Sequence, residues 1–556
     1  MKQHALGFLE HLYHGELHEE LLRFPTPDEQ KVSTFMERYS EAVRDYSPAQ
    51  IEKEGVVPND LMNRLKQIGL FGLTIPERYG GLGFSTSEYL RVVEEMARHD
   101  MALVLVPLAH LSIGMKGIPL FGTEAQKETY LTKAASGEMV FAYALTEPKT
   151  GSDAQHIETT ATLSEDGTHY VLNGSKTYIT NGNYAQGFTV FAQLDPDHPG
   201  HMGAFIVERD WEGISVGKDM PKMGLKVSST TPIQFRNVRV PTENLLAEPG
   251  DGFKIAMNIL NYGRLGLGAA SAGLMRQSLR DMTKRAESRT QFGVKIKDFE
   301  LIQEKLVRAK AHGYAASNMT YLTAALLEQE PLANVAIESS HCKLYGTNEC
   351  WNTLYDALQT AGGSGFIATQ PYEKRMRDFR VTTIFEGTTE IHSIYPPLTL
   401  FRSLGKELGG LGGLAKLRYL WSFGRTVGLN RLTGGHPTLD RAIKAARESE
   451  RLMRKLVKRA LTTYRKRVTE HEFLLRRITN LSLSLFWLVS SVTALNARFG
   501  DGNYPDEELT LLEYLTAEAR EVQARDGRFE ATPVERAHRE VMKHVVGDGG
   551  RGAQDR

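Results

Sequence analysis

The chain has 556 residues, 41% of them hydrophobic, enough to bury several cores and to form more than one domain. Sixty-seven Lys and Arg balance sixty-seven Asp and Glu, so no global field favours nucleic acid and any basic surface must be local. Only Cys342 and Cys350 are available as thiols, which argues against a disulfide framework or a metal site and fits a reducing compartment.

The N-terminal stretch MKQHALGFLEHLYHGELHEELL carries several glutamates and no long apolar core, so it reads as neither a signal peptide nor an Arg/Ser-rich transit peptide. Apolar residues recur at three- and four-residue spacing near Asp60 to Leu70 and from Ser87 to Ala97, which predicts an N-terminal helical domain over 1–138. From Met139 the texture changes. MVFAYALT, THYVLNGSKTYIT, GFTVFAQL, GAFIVE and IQFRNVRV are rich in β-branched and aromatic residues, with Asp166-Gly167, Asn173-Gly174 and Asn181-Gly182 read as turns. They predict a compact middle β domain over 139–250.

Helical periodicity returns at Gly252 and defines a bundle domain over 251–400. A Gly/Leu-rich basic joint, 401–435, leads to an additional helical domain, 436–556, where Met453, Leu456, Val457, Ala460, Leu461 and Tyr464 form an amphipathic stripe. The uncharged run Leu481 to Ala497 falls short of the ~20 apolar residues that span a bilayer, so a buried helix in a soluble protein is expected. No internal repeat is visible, and the tail GDGGRGAQDR reads as disordered.

The stretch most suggestive of chemistry is Ile384-Phe-Glu-Gly-Thr-Thr389. A carboxylate shielded by apolar neighbours has a raised proton affinity, which suits a general base acting on a weak carbon acid. The glycine after it lets a ligand approach the backbone. The plain alternative is a surface glutamate at a helix N-terminus. Four further pieces stand out. Tyr143-Ala-Leu-Thr-Glu-Pro-Lys-Thr-Gly-Ser-Asp153 offers hydroxyls at Thr146 and Ser152 to a polar planar ring, and NGSKTYITNG supplies an aromatic face at Tyr178 and a hydroxyl at Thr180. Arg289-Thr-Gln-Phe-Gly293 ends a long helical stretch with a guanidinium suited to phosphate. Gln359-Thr-Ala-Gly-Gly-Ser-Gly-Phe366 is a glycine cluster that on its own reads as a helix C-cap.

In this order the five motifs resemble the acyl-CoA dehydrogenase family over about residues 30 to 400. The segments HLSIGMKGIPLFGTEAQKE and MNILNYGRLGLGAASAGLMR, with the extra C-terminal helices, are similar to its very-long-chain branch. The resemblance implies an α+β fold: an N-terminal helical domain, a middle β-barrel-like domain, a C-terminal four-helix bundle and an additional C-terminal helical domain. It implies FAD as cofactor, fatty acyl-CoA as substrate, electron-transfer flavoprotein as electron acceptor, and a homodimer. Glu386 is then the base that takes the α-proton while the β-hydrogen leaves as hydride to the flavin. Its backbone N–H and a flavin ribityl hydroxyl would stabilise the enolate. Thr146 and Ser152 contact flavin and substrate, and Tyr178 and Thr180 flank the flavin ring. Arg289 and Gln291 hold the pyrophosphate across the dimer, and Gln359, Gly362, Gly363 and Thr388 complete the nucleotide site. Arg264 lies near the CoA moiety, and Gly387 counts with Ser152 among the substrate-binding residues. Some branches place the base at the position of Gly263; glycine cannot act there. Tyr178 departs from the usual tryptophan or phenylalanine, which puts flavin potential and acceptor docking in question.

Gly114 and Gly117 are read as lying on one helix face, where they serve either tight packing or an acyl tunnel left open at its far end. Each methylene in such a tunnel contributes ~0.8 kcal/mol. In the joint, Arg402, Lys406, Lys416, Arg418, Arg425 and Arg431 stand against Glu407, and Leu404, Leu408, Leu411, Leu414, Leu417, Leu420 and Trp421 can form an apolar stripe. Its glycines argue against a helix in water, so the segment is expected either to fold on an anionic membrane or to act as a linker packing on the C-terminal domain. Two other functions stay open: a respiratory-complex assembly protein built on the same fold, and an acyl-CoA oxidase, which the absence of a terminal Ser-Lys-Leu address disfavours. A bacterial-type chain would be cytoplasmic, possible contact with the inner membrane included, and a processed eukaryotic one mitochondrial.

Overall fold

The computed structural model describes residues 7–195, 197–198, 200–423, 428–432, 434–500 and 502–550. Arg425 of the basic joint lies outside them, as do the side chains of Leu417, Leu420, Trp421 and Arg431 and the last six residues of the tail. The chain forms two compact units, one of Gly7 with Glu20–Thr389, the other of Phe8–Glu19 with the chain from Glu390 on.

The first unit opens with capped helices. Asp28 accepts the Lys31 N–H at 3.0 Å to start Glu29–Val43. Ser85 and Glu88 form a reciprocal capping box at the start of α1 (Thr86–His99). The wholly buried helix Met101–Leu108 follows and unwinds into a π-helical turn, Ala109–Gly114. After Met115 and Lys116 a separate helix, Gly117–Phe121, begins. Gly114 and Gly117 therefore do not share one helix face.

Seven strands make the middle domain: β1 (Phe141–Ala144), β2 (Thr160–Leu163), β3 (His169–Thr180), β4 (Gly187–Gln193), β5 (Met202–Glu208), β6 (Ile214–Val216) and β7 (Thr230–Pro241). They form one curled sheet in the order β1-β4-β2-β3-β7-β6, with β5 on the other edge of β4. β4 pairs in parallel with β1 and β2 in turn along one edge, and the other strand pairs described in this sheet are antiparallel. Its core is built from the inward residues of these strands, among them Phe188, Val190, Phe205, Val207, Phe235 and Val238. β2 and β6 escape the sequence pattern because three or four residues carry too little alternation to register. Asn173-Gly174 is not a turn: it lies within β3, where the register against β7 shifts and Gly174 takes φ 148°. A bulge bends the strand there without ending it.

The bundle consists of α1 packed on α2 (Gly252–Ser288), with α3 (Glu300–Gln329) and α4 (Ala336–Ala361) completing it. A hairpin, β8 (Thr290–Gln291) and β9 (Val294–Lys295), follows α2. Glycine at 273 brings α2 against the α1 backbone at the Glu94 carbonyl, where any side chain would collide. The fully buried Glu94 carboxylate then ties three helices: it accepts Arg91 at 3.0 Å and the Tyr321 hydroxyl at 2.8 Å, and it pairs with Arg276.

In the second unit, α5 (Thr389–Gly409, from Glu390 on) and α6 (Gly413–Phe423) precede α7 (Pro437–Tyr464), α8 (Glu472–Phe499), α9 (Asp506–Asp526) and α10 (Pro533–Gly550). Much of the glycine-rich joint is thus helical, contrary to the expectation from composition. Gly409, Gly410 and Gly412 fall at the break between α5 and α6, while Leu400, Phe401 and Leu404 are buried and stabilise α5 by packing. The buried Arg454 of α7 donates to the Tyr13 carbonyl at 3.0 Å and to the Phe423 carbonyl, its guanidinium 4.4 Å from the Phe423 ring. Glu450 accepts the N–H groups of Gly428 at 2.7 Å and Leu429 at 3.2 Å. The tail's first four residues continue α10. Among the described residues two stretches, Met101–Phe121 and Glu472–Phe499, are long and apolar enough to cross a membrane by composition; 89% and 94% of their apolar windows are buried.

Candidate active site

The segment from Tyr372 to Phe379 is a short helix that runs through a tight turn, Arg380–Thr383, into Glu386. Glu386 has φ 54° and Gly387 φ 99°, two successive residues in left-handed backbone. For a residue with a side chain this conformation costs about 1–2 kcal/mol, so the surroundings must hold it. Arg264 on α2 donates Nε to the Glu386 carbonyl at 3.5 Å, and Lys343 on α4 donates Nζ to the Gly387 carbonyl at 2.5 Å. Thr389 donates to Asn348 Oδ1 at 3.1 Å. Arg264 is 6% exposed and Lys343 fully buried. The resemblance sets Arg264 near CoA; here its Nε meets the Glu386 carbonyl.

The residue Glu386 is half-buried, but its Oε2 is enclosed. Room for it exists because residue 263 is glycine: a Cβ built there would lie 2.5 Å from Oε2. Burial pushes the carboxyl up to about 7, against the opposing charges of Arg264 and Lys343. A carboxylate that exchanges its proton near neutrality is matched to general-base work. Tyr89 from α1 and Tyr143 from β1 also face it, their phenols held protonated mainly by burial.

Thr146 is half-buried, just beyond β1, and its carbonyl accepts the Thr177 N–H at 2.9 Å, which sets it beside Tyr178. Tyr178 sits on a bulge of β3 at φ 56° and is 66% exposed, an aromatic face held outward by strained backbone. Thr180 is half-buried at the strand end, and Ser152 is exposed beside Gly151, where a Cβ would meet nothing within 4 Å. Beneath this rim lies a pair that the sequence reading missed. Lys176 Nζ and Glu147 Oε1 are 2.7 Å apart with both side chains buried, and Glu147 also accepts the Thr159 N–H at 3.0 Å. The signal was present: Lys176 is a lone lysine at an inward position of β3.

Arg289 and Gln291 stand on the exposed β8–β9 hairpin, with Phe292 between the strands 94% exposed. Arg285 donates to the Ala361 carbonyl at 3.2 Å, which brings the end of α2 to the glycine turn holding Gly362 and Gly363. Gln359 is exposed there, and a Cβ at Gly362 or Gly363 would meet nothing within 4 Å. Thr388 is half-buried two residues after Glu386. An outward aromatic ring, open glycine backbone and an exposed guanidinium fit a flavin nucleotide. The loop before β7 joins this half to the short helix that leads to Glu386: the Leu225 N–H donates to Asp378 Oδ1 at 2.6 Å.

Gly114 and Gly117 fall elsewhere, in close packing. A Cβ at Gly114 would collide with the Phe141 carbonyl, and one at Gly117 would lie 3.0 Å from Leu246 Cδ1. Their missing side chains are taken up by neighbouring protein, so the open-tunnel reading of the pair is replaced by packing. Among the described residues one trio could hold a metal, His11, Glu16 and His18 in the second unit, with ligand atoms within 4.8 Å. A His11–Glu16 hydrogen bond of 3.2 Å accounts for part of that proximity.

Models of the N-terminal, middle and C-terminal domains of acyl-CoA dehydrogenase match residues 26–138, 142–238 and 250–394. A human mitochondrial very long-chain specific acyl-CoA dehydrogenase is 38% identical over 513 residues, 88% of this chain and 77% of that protein. The crystal structure of a Bacillus anthracis acyl-CoA dehydrogenase complexed with FAD superposes with TM-score 0.82 at 30% identity, covering 96% of this chain and 94% of its own. Butyryl-CoA dehydrogenase from Megasphaera elsdenii, 34% identical with TM-score 0.63, covers 68% of this chain and 99% of its own. The chain belongs to the acyl-CoA dehydrogenase family. It is an FAD-dependent oxidoreductase of fatty acid β-oxidation.

Proposed function

We propose that this protein oxidises long or very long fatty acyl-CoA thioesters to trans-2-enoyl-CoA, with Glu386 as the base, and passes the electrons to electron-transfer flavoprotein. The observation that carries the reading is the Glu386 carboxylate, enclosed opposite Gly263 and poised near neutrality. Glu386 takes the α-proton. Arg264 Nε meets its carbonyl at 3.5 Å, and the surrounding burial keeps water from competing for the proton. When bound, the flavin accepts the β-hydrogen as hydride.

The residues that would hold it are Thr146, Ser152, Tyr178 and Thr180 around the ring, with Arg289, Gln291, Gln359, Gly362, Gly363 and Thr388 at the nucleotide. The thioester would lie along Ser152 and Gly387. Preference for long chains rests on the similarity to the human very long-chain enzyme along 88% of this chain. The exposed Phe292, Phe366 and Ile367 around the Arg289 and Gly362 segments support a homodimer in which this surface meets a second copy. Exposed Arg402, Lys406 and Arg418, with Leu414 at 87% exposure, support contact of the α5–α6 segment with an anionic membrane. Anaerobic bleaching of the bound flavin by palmitoyl-CoA, against octanoyl-CoA, tests the reaction and the chain length together. Faster bleaching by palmitoyl-CoA is expected; a preference for octanoyl-CoA contradicts the long-chain reading.

A further inference from the structure

We propose that Lys343 is a positioning residue for the reaction: from inside α4 it clamps the carbonyl following the base, fixing the carboxylate's aim, and supplies positive charge that favours its ionised form. The inference rests on the reading of Glu386 as the base.

Two successive left-handed residues turn two successive carbonyls toward two different helices. The Glu386 carbonyl meets Arg264 Nε on α2 at 3.5 Å, and the Gly387 carbonyl meets Lys343 Nζ on α4 at 2.5 Å. The shorter of the two contacts belongs to Lys343, whose side chain is fully buried. A neutral donor could make the same hydrogen bond without the cost of burying an ammonium. A lysine at this place therefore adds charge as well as a clamp.

Among the titratable and charged groups that act on the carboxylate are Tyr89 of α1, Tyr143 of β1, Arg264 of α2 and Lys343 of α4. Burial holds both tyrosines protonated, and the two cations oppose the burial of Glu386. Each favours the ionised base. Arg264 alone would leave one carbonyl of the turn unclamped and the carboxylate harder to ionise.

The test is the pH dependence of kcat/KM for palmitoyl-CoA, which reports the base in the free enzyme. Lys343→Met keeps length and removes charge and donor. Its acid limb should move upward by about one pH unit, roughly a tenfold loss below the limb, with flavin content unchanged. Lys343→Arg should move the limb back toward wild type, which a purely structural role would not do. An unshifted limb in flavin-loaded Lys343→Met overturns the proposal. If that variant does not retain flavin, Lys343→Gln, which keeps a donor without charge, carries the same comparison and the same two outcomes. Glu386→Gln separates the two claims: if it stays active, the base assignment fails; if it is inactive while the limb stays unshifted, only the role of Lys343 fails.

Discussion

Gly263 on α2 and Glu386 in the loop after α4 occupy one space. A Cβ built at 263 would lie 2.5 Å from Glu386 Oε2, 2.9 Å from its Cδ and 2.8 Å from Ile113 Cγ2. The carboxylate fills the volume that a side chain on α2 would need, so the two positions cannot both carry one without displacement.

Gly263→Ala should therefore separate catalysis from stability. Alanine favours helix over glycine by ~1 kcal/mol, which offsets part of the crowding. Pushing the carboxylate aside by about 1 Å should lower kcat on the order of 100-fold. Thermal melting beside steady-state kinetics checks it. A melting temperature close to wild type with kcat down is the expected pair; an unchanged kcat means the carboxylate does not work from this position.

The buried Glu147–Lys176 pair makes a different prediction. Lys176→Met strands a buried carboxylate and should destabilise the protein by about 3–5 kcal/mol, read as a lower denaturation midpoint and weaker flavin retention. Adding Glu147→Gln should recover most of the loss. A single variant as stable as the wild type would show that the pair does not anchor the loop from Thr146 to Thr159.

Arg289→Ala should weaken flavin retention and dimer together, because one guanidinium on the exposed hairpin would serve a nucleotide at the subunit boundary. Arg289→Lys should restore only part, lacking the planar fork. Gel filtration with absorbance at the flavin band checks both. Stoichiometric flavin in the alanine variant would remove Arg289 from the site.

The α5–α6 segment should bring the protein down with anionic vesicles at low salt and release it at high salt, since each basic residue near such a surface contributes about 1 kcal/mol. Changing Arg402, Lys406, Lys416 and Arg418 to serine should abolish pelleting. Equal pelleting would refute the segment's role.

Much of this was legible in the sequence because local chemistry carries it. The proposed base Glu386 and its glycine are neighbours, the hydroxyl and aromatic positions of the proposed flavin rim lie on short strand-and-loop motifs, and α7 advertises itself by its stripe. What stayed hidden depends on pairing across distance. Lys343 looks like any helix lysine until the Gly387 carbonyl is placed against it, and Gly263 could be read only as a position where no base could act. Gly114 and Gly117 suggested space, but a missing side chain leaves space only if nothing packs there, and the Phe141 carbonyl does. The joint misled through composition: glycine content lowers helix propensity on average, yet these glycines cluster at a helix break while buried leucines hold the turns before it.

The pH dependence of the base has a sign that can be worked out. Burial raises the Glu386 carboxyl from the ordinary 4.5 to about 7, so the folded state binds the proton more tightly than the unfolded chain between those values. Stability contributed by that proton is present below about 4.5 and is lost as pH rises through about 7. Activity runs the other way, since only the ionised form accepts a proton, and kcat/KM should fall as pH drops through about 7. Glu386→Gln removes the ionisation, so its melting temperature relative to wild type should be higher at pH ~8 than at pH ~5.

The most direct measurement is the anaerobic bleaching of enzyme-bound flavin by palmitoyl-CoA in wild type and in Glu386→Gln, which keeps the side chain's size but cannot accept the proton. The account predicts that the variant retains flavin and binds the thioester while bleaching at least ~10²–10⁴-fold more slowly. Bleaching within a few-fold of the wild-type rate would contradict it and turn attention to Glu390.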